Sequence, residues 1–268
     1  MAYVKGRLEQ LARIVDRHLA QDPAEALERL GGQLGLSADE LGAVEARVQR
    51  LRDRRFSMPV SAHGATGRGG RSQNEDAFLV ERKLRLFAVA DGMGGYRGGA
   101  TAAAAALRGL RDAVAGGRVD LEQAVLAANE VVLETAARAG YHKAGSTIVT
   151  LWLADDEVRL AWVGDSRCYR YDGARLAPLT RDHRLFGHVL EQALGREHVV
   201  PESVVERATP ATYLLCSDGV TDVLGEGELL QHLRVGPKRL AGAAAAIVDA
   251  ATRAGTRDNA TALVVRVG

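Results

Sequence analysis

The rhythm of hydrophobic and polar positions changes once along this chain. In the first fifty-odd residues apolar positions recur at helical spacing, with Leu8, Leu11, Val15 and Leu19 on one face. Asp22-Pro23 reads as an N-cap followed by proline at the first helical position, opening a second helix to about Leu30, where Gly31-Gly32 can end it. Ser37 with Glu40 forms a capping-box pattern and opens a third helix. There Leu41, Val44, Val48 and Leu51 share a face, opposite Arg47, Arg50, Arg52 and Arg54. Three short amphipathic helices bury too little surface to stand alone. Residues 1–56 therefore read as a helical segment that packs on its neighbour, regulates or docks it, or pairs two chains.

From Ser57 to Gly70 the composition turns to Gly, Ser, Pro and Ala, which reads as a linker or a leading loop. Strand and helix patterns mix from about Arg71 onward. Leu84 to Ala90 is an apolar run ending at Asp91, and Thr101 to Val114 and Leu121 to Ala139 are Ala-rich helical stretches. Thr147 to Leu153 leads through Asp155-Asp156 to Val158 to Val163, a hairpin pattern. Arg167 to Tyr171 follows, with Asp172-Gly173 as its turn. Tyr213 to Cys216 and Ala262 to Val267 read as further strands, and Pro237 to Ala254 as a last helix. Hairpin-linked strands with long helices elsewhere indicate an α+β fold, not a doubly wound parallel sheet.

Composition narrows the partners. The chain has 268 residues and a net charge of +1, so no strong field directs it to nucleic acid or to an anionic membrane. No apolar run reaches spanning length and the start does not read as a signal peptide, so a cytoplasmic location is expected. Cys168 and Cys216 each sit in an apolar, strand-like run and read as buried free thiols. Aromatics make up only 4%, which leaves the core to Leu, Val and Ala.

Chemistry concentrates in five short acidic motifs: Asn74-Glu75-Asp76, Asp91-Gly92-Met93-Gly94-Gly95, Gly164-Asp165-Ser166-Arg167, Ser217-Asp218-Gly219 and Arg257-Asp258-Asn259. Asp91, Asp165 and Asp218 each follow an apolar strand, and Asp258 precedes one. Strand ends can converge in space. Converging carboxylates repel one another unless a cation neutralises them, and hard divalent ions such as Mg²⁺ and Mn²⁺ prefer oxygen ligands. Gly92 lets a backbone carbonyl approach such an ion. A single Asp-Gly is ordinary turn chemistry; the set and its order support a two-metal hydrolase.

The set, with Arg71 three residues before Asn74, resembles the bacterial form of the protein phosphatase 2C-like, metal-dependent serine/threonine protein phosphatases. The resemblance runs from about Gly67 to Val267. Gly145-Ser146-Thr147, Thr180-Arg181-Asp182-His183 and Ala193-Leu194-Gly195 also look like family landmarks. It implies a four-layer αββα sandwich of two antiparallel sheets over residues 57–268. It also implies two manganese or magnesium ions that share a hydroxide, bridged by Asp91 with the Gly92 carbonyl on one of them. Asp218 and Asp258 would complete the other ion's protein ligands. Asp76, with Glu75, would hold bound waters or the metal directly, and Asn259 would stand behind the ligands. Asp165 matches the acid that binds a third, weaker ion, and Arg71 the arginine that grips the substrate phosphate. Phosphorylated proteins would be the substrates, with a serine/threonine kinase as the opposing enzyme.

Four departures from the family pattern stand out. Met93 occupies the position of a proposed general-acid histidine, leaving His63 and His183 as weaker candidates beside a metal-bound water. Tyr96 replaces a common histidine, and Gly67, Gly69 and Gly70 replace the usual glycine before Arg71. Only Arg184 to Gln192 separate two landmarks between which many relatives carry a flap, so the flap reads as reduced. The alternative to an active enzyme is a catalytically silent phosphoprotein-binding module. Deleting residues 1–56 is expected to change oligomeric state, partner binding or activity, measured by light scattering, pull-down and phosphatase assay. If all three are unchanged, the segment only packs.

Overall fold

Alternation along the apolar strands decides the architecture. The computed structural model describes residues 58–94, 98–117, 120–141, 143–186, 189–235 and 237–268, together with Ser37, Gly42 and Phe56. Apart from Ser37 and Gly42, the residues of the three expected N-terminal helices lie outside these, as do Gly95 and Tyr96. One five-stranded antiparallel sheet contains β2 (Ala77–Glu81), β3 (Leu86–Ala90), β6 (Ile148–Ala154), β7 (Glu157–Val163) and β12 (Glu202–Arg207), in the order β12-β7-β6-β3-β2. The other contains β1 (Val60–Gly67), β8 (Arg167–Tyr171), β9 (Leu176–Pro178), β13 (Ala211–Cys216) and β14 (Ala260–Val267), in the order β1-β14-β13-β8-β9.

Successive side chains leave a strand on opposite faces. In β3, Phe87 and Val89 enter the core between the sheets, where they meet Tyr213, Leu215, Leu263 and Val265. Leu86, Ala88 and Ala90 face the other way, against the helices Gly98–Ala115 and Leu121–Ala139. On the second sheet Leu214, Cys216, Ala262 and Val264 pack against the helices Glu226–Leu233 and Ala243–Arg253. The inner strands β3, β6, β13 and β14 are covered on both faces, so they read as apolar runs. The layers are helix, sheet, sheet, helix, as the sequence led one to expect.

Local signals set several boundaries. Asp120 caps the helix Leu121–Ala139 by accepting the Glu122 N–H, and Gly140 ends it in the left-handed conformation at φ 72°. Asp155 and Asp156 take φ of 54° and 59°, the geometry of a tight turn between antiparallel strands. Cys168 and Cys216 are free and buried, and burial pushes both thiols up, Cys216 to about 12. No helix among the described residues is long and apolar enough to cross a membrane.

The segment expected to be a linker, Ser57 to Gly70, is largely a strand: β1 pairs with β14 along its whole length, from Val60↔Val267 to Gly67↔Ala260. Its Gly, Ser and Ala residues lack strand propensity, and pairing with β14 overrides that. Gly64 also has a packing reason, because a Cβ there would lie 2.4 Å from the Phe78 ring. Phe56 packs in the core between the sheets. The final helix is also shorter than expected: Pro237–Gly242 is a 3₁₀ turn and the α-helix starts at Ala243. Phe87→Ala is expected to destabilise the domain by about 3–5 kcal/mol, read from the midpoint of chemical denaturation.

Candidate active site

Strand register brings the acids to one end of the sandwich. Ala77 pairs with Ala90, so Asp76, just before β2, lies beside Asp91, just after β3. Cys216 pairs with Ala262, so Asp218, after β13, lies near Asp258, before β14. Ile148 pairs with Val163, which puts Thr147 beside the Gly164-Asp165 corner. These ends line an open cleft of about 800 Å³ with Arg71, Glu75, Asp91, Met93, Asp165, Asp218 and Asp258 on its walls.

Each acid is held by its neighbours. One oxygen of Asp76, Oδ2, accepts from Ser217 Oγ and Thr261 Oγ1, both at 2.7 Å and both on the other sheet. Thr66 Oγ1 lies 2.7 Å from Thr261 Oγ1 and accepts from Asn74 Nδ2 at 2.8 Å, so a line of donors runs into Asp76. The Asp91 backbone is fixed on both sides: its N–H donates to Thr147 Oγ1 at 3.1 Å, and its carbonyl accepts from the Thr147 N–H at 2.8 Å. Gly92 follows where no side chain fits, since a Cβ would stand 2.1 Å from the Gly99 carbonyl oxygen. Asn259 pins the loop that carries Arg71 and Glu75. Its Nδ2 donates to the Arg68 and Gln73 carbonyls at 3.0 and 2.8 Å, and its Oδ1 accepts the Glu75 N–H at 2.8 Å. Arg71 Nη2 meets Asp258 Oδ2 at 2.6 Å.

The electrostatics are those of crowded acids. Burial, together with the charges of Asp76, Asp218 and Asp258, raises the Asp91 carboxyl well above its ordinary range. Burial pushes Asp76 up to about 6, against the hydrogen bonds from Thr261 and Ser217. Burial and then the charges of Asp165, Asp222 and Asp258 push Asp218 to about 6 as well. Asp76 and Asp218 lie near enough to Asp91 for their charges to act on it. Carboxylates gathered in this way repel one another unless a proton or a cation neutralises them.

A divalent cation fits this donor set. Glu75 Oε1, Asp76 Oδ1 and Asp218 Oδ1 are buried without a hydrogen-bond donor, and all the candidate side-chain ligands are hard oxygens. No three His, Cys, Asp or Glu side chains among the described residues already close on one point as a ligand cage. The acids instead face a shared open volume. That suits ions that keep several waters and take only one or two carboxylates each.

The other landmarks are structural. Leu194 and Ser146 exchange backbone hydrogen bonds at 2.8 and 3.1 Å, and Asn129 Oδ1 accepts the Gly195 N–H at 2.7 Å. His183 is buried under Trp162, accepts the Gly164 N–H at Nδ1 and turns Nε2 toward Glu202. His63 sits within β1 opposite Val264. Neither histidine lines the cleft. The reduced flap is a two-stranded hairpin of β10 (Arg184–Phe186) and β11 (Val189–Leu190). Met93, in β4 (Gly92–Met93), pairs with Gly145 of β5 (Gly145–Ser146).

Sequence reasoning missed Thr66, Thr261 and Arg184. Thr66 and Thr261 lie in strand patterns where a threonine carries no signal of its own. Arg184 directly follows the Thr-Arg-Asp-His landmark but was read only as part of the flap. In the structure it reaches Asp165, Asp218 and Asp222.

Known proteins share this sequence pattern and fold. The protein phosphatase 2C family profile matches residues 63–254. The serine/threonine phosphatase stp of Listeria innocua is 32% identical over 241 residues, spanning 77% of this chain and 95% of its own length. PppA, described as a key regulatory component of T6SS in Pseudomonas aeruginosa, superimposes with a TM-score of 0.70 at 30% identity, covering 78% of this chain and 98% of its own. The catalytic domain of the serine/threonine protein phosphatase PstP, solved with two manganese ions, gives 0.71 at 27% identity, covering 79% and 99%. The chain belongs to the protein phosphatase 2C family, whose named relatives are bacterial serine/threonine phosphatases.

Proposed function

We propose that this chain hydrolyses phosphoserine and phosphothreonine in proteins, with two manganese or magnesium ions held at Asp91, and that it opposes a serine/threonine kinase. The observation that carries this reading is the meeting of Asp76, Asp91 and Asp218 in one acidic cluster, with orphaned oxygens on Asp76 and Asp218 and with Arg71 at the rim. The manganese pair of the PstP domain supports it.

Asp91 would hold both ions and the Gly92 carbonyl one of them. Asp218 and Asp258 would serve the other, and Asp76 with Glu75 would hold metal-bound waters or a metal directly. When bound, such ions lower the pKa of water and take up charge on the phosphate. The remaining work falls to the chain's own groups. Arg71 leaves Asp258 and presents its planar fork to the phosphate oxygens. Asn259 holds the Arg71 loop so that this reach is short. Ser217 and Thr261 fix one oxygen of Asp76 and leave the other buried without a donor. Among the described residues no histidine lines the cleft, and the leaving serine or threonine oxygen would take its proton from water ordered by these acids. A binding module without turnover would be expected to lack one of these acids, and all are in place.

Turnover of an aryl phosphate and of a phosphothreonine peptide should require Mn²⁺ or Mg²⁺ and stop with chelator. Asp91→Asn should remove it, and Asn259→Ala should lower it about 10- to 100-fold. Metal-independent turnover, or Asp91→Asn behaving as the wild type, would reject the assignment. Tight peptide binding without turnover in Mn²⁺ would favour the silent binding module.

Proton linkage gives a second measurement. Asp76 and Asp218 rise from the ordinary 3.8 to about 6 on folding. The folded, metal-free chain therefore binds these protons more tightly than the unfolded chain. That contribution to stability is full below about pH 4 and is lost as the pH rises through about 6. A cation replaces the protons, so its binding tightens over the same interval. The rise in Tm produced by Mn²⁺ should be larger at about pH 7 than at about pH 5. An equal shift at both would mean that these acids do not hold the ion.

A further inference from the structure

The four residues before Arg184 are fastened to the core in succession. Thr180 Oγ1 accepts the Cys168 N–H at 3.0 Å, and the Arg181 carbonyl accepts Trp162 Nε1 at 2.9 Å. Asp182 takes Nε and Nη2 of Arg167 at 2.8 Å each, and the His183 N–H donates to the Gly164 carbonyl at 3.0 Å. The backbone that delivers Arg184 is thus tied to β7 and β8.

The Arg184 side chain turns inward, with 19% of its surface exposed. Each of its three nitrogens faces a different carboxylate. Nε lies 2.5 Å from Asp165 Oδ2, Nη2 lies 3.0 Å from Asp218 Oδ2, and Nη1 lies 3.5 Å from Asp222 Oδ1. A guanidinium is planar and permanently charged, with five donors in a fixed fork, so it can meet several carboxylates at once. The two oxygens of Asp218 are divided by this contact. Oδ2 is bound to Arg184, while Oδ1 is buried with no donor.

An ion bound by both Asp165 and Asp218 would have to stand where this guanidinium stands. We propose that Arg184 is a built-in cation, which replaces a third metal ion beside Asp165 and turns Asp218 Oδ1 toward the metal pair. It does not touch the reacting atoms and acts as a positioning residue. The hairpin it begins is thereby tied to the metal centre, and the charge beside Asp165 does not depend on the concentration of free metal. The proposal rests on the phosphatase reading for the metal pair.

Metal stoichiometry tests it without reference to activity. Wild type, Asp165→Asn, Arg184→Gln and the double variant are dialysed to equilibrium against manganese chloride, and bound manganese is counted by elemental analysis. Two ions are expected for the wild type and for Asp165→Asn, three for Arg184→Gln, and two again for the double variant. Three ions in the wild type, with one lost in Asp165→Asn, would overturn the proposal and leave the phosphatase reading standing. Two ions in folded Arg184→Gln would overturn it as well. Binding of no manganese by the wild type would overturn both readings. If Arg184→Gln does not fold, the wild type against Asp165→Asn still decides the matter.

Discussion

Like charges gathered where two sheets meet are the constraint around which this end of the molecule is built. Asp76 belongs to one sheet, yet its Oδ2 is held by hydroxyls of Ser217 and Thr261 from the other. That clamp joins the sheets where the acids converge, and it leaves Oδ1 of the same carboxylate buried and without a donor. Buried acids that are only partly satisfied oppose folding unless a proton or a cation joins them. The site thus stores a demand for positive charge, and the surrounding structure determines where that demand is met.

Arginines meet part of it. Arg71 rests on Asp258 at the exposed rim, and Arg184 lies among Asp165, Asp218 and Asp222. The two differ in freedom. The Arg71 side chain is 56% exposed and hangs from a loop pinned by Asn259, so it can exchange its carboxylate for a phosphate. Arg184 is mostly buried on a fastened backbone, so its exchange would be costly. What remains without a partner is Asp76 Oδ1 and Asp218 Oδ1 beside Asp91, which is where the proposed metal pair would lie.

The backbone of the sandwich makes this possible because its interior layers need nothing from the acids. Apolar strand faces pack against helices on the outside and against each other in the middle, and the strands end together. Side chains at strand ends can then be chosen for chemistry at little cost to the core. Gly92 shows how close the fit is, since the helix beginning at Gly98 passes too near for any side chain there.

Much of this was legible beforehand. Apolar runs with helical or hairpin punctuation placed most strands and helices, because periodicity and turn chemistry are local properties. The acidic motifs were legible as a set because each abuts an apolar run. β1 was not, because Gly, Ser and Ala become a strand only when β14 offers a full row of partners. Thr66 and Thr261 were invisible because their value lies in which oxygen they face, across 195 positions of chain. The sequence by itself determined which residues could carry charge and which runs must be buried. Only the tertiary structure decided which charges meet, that Arg184 stands between Asp165 and Asp218, and which carboxylate oxygens stay open. Coulomb and hydrogen-bond energies depend on distances between atoms, and spacing along a chain does not fix those distances.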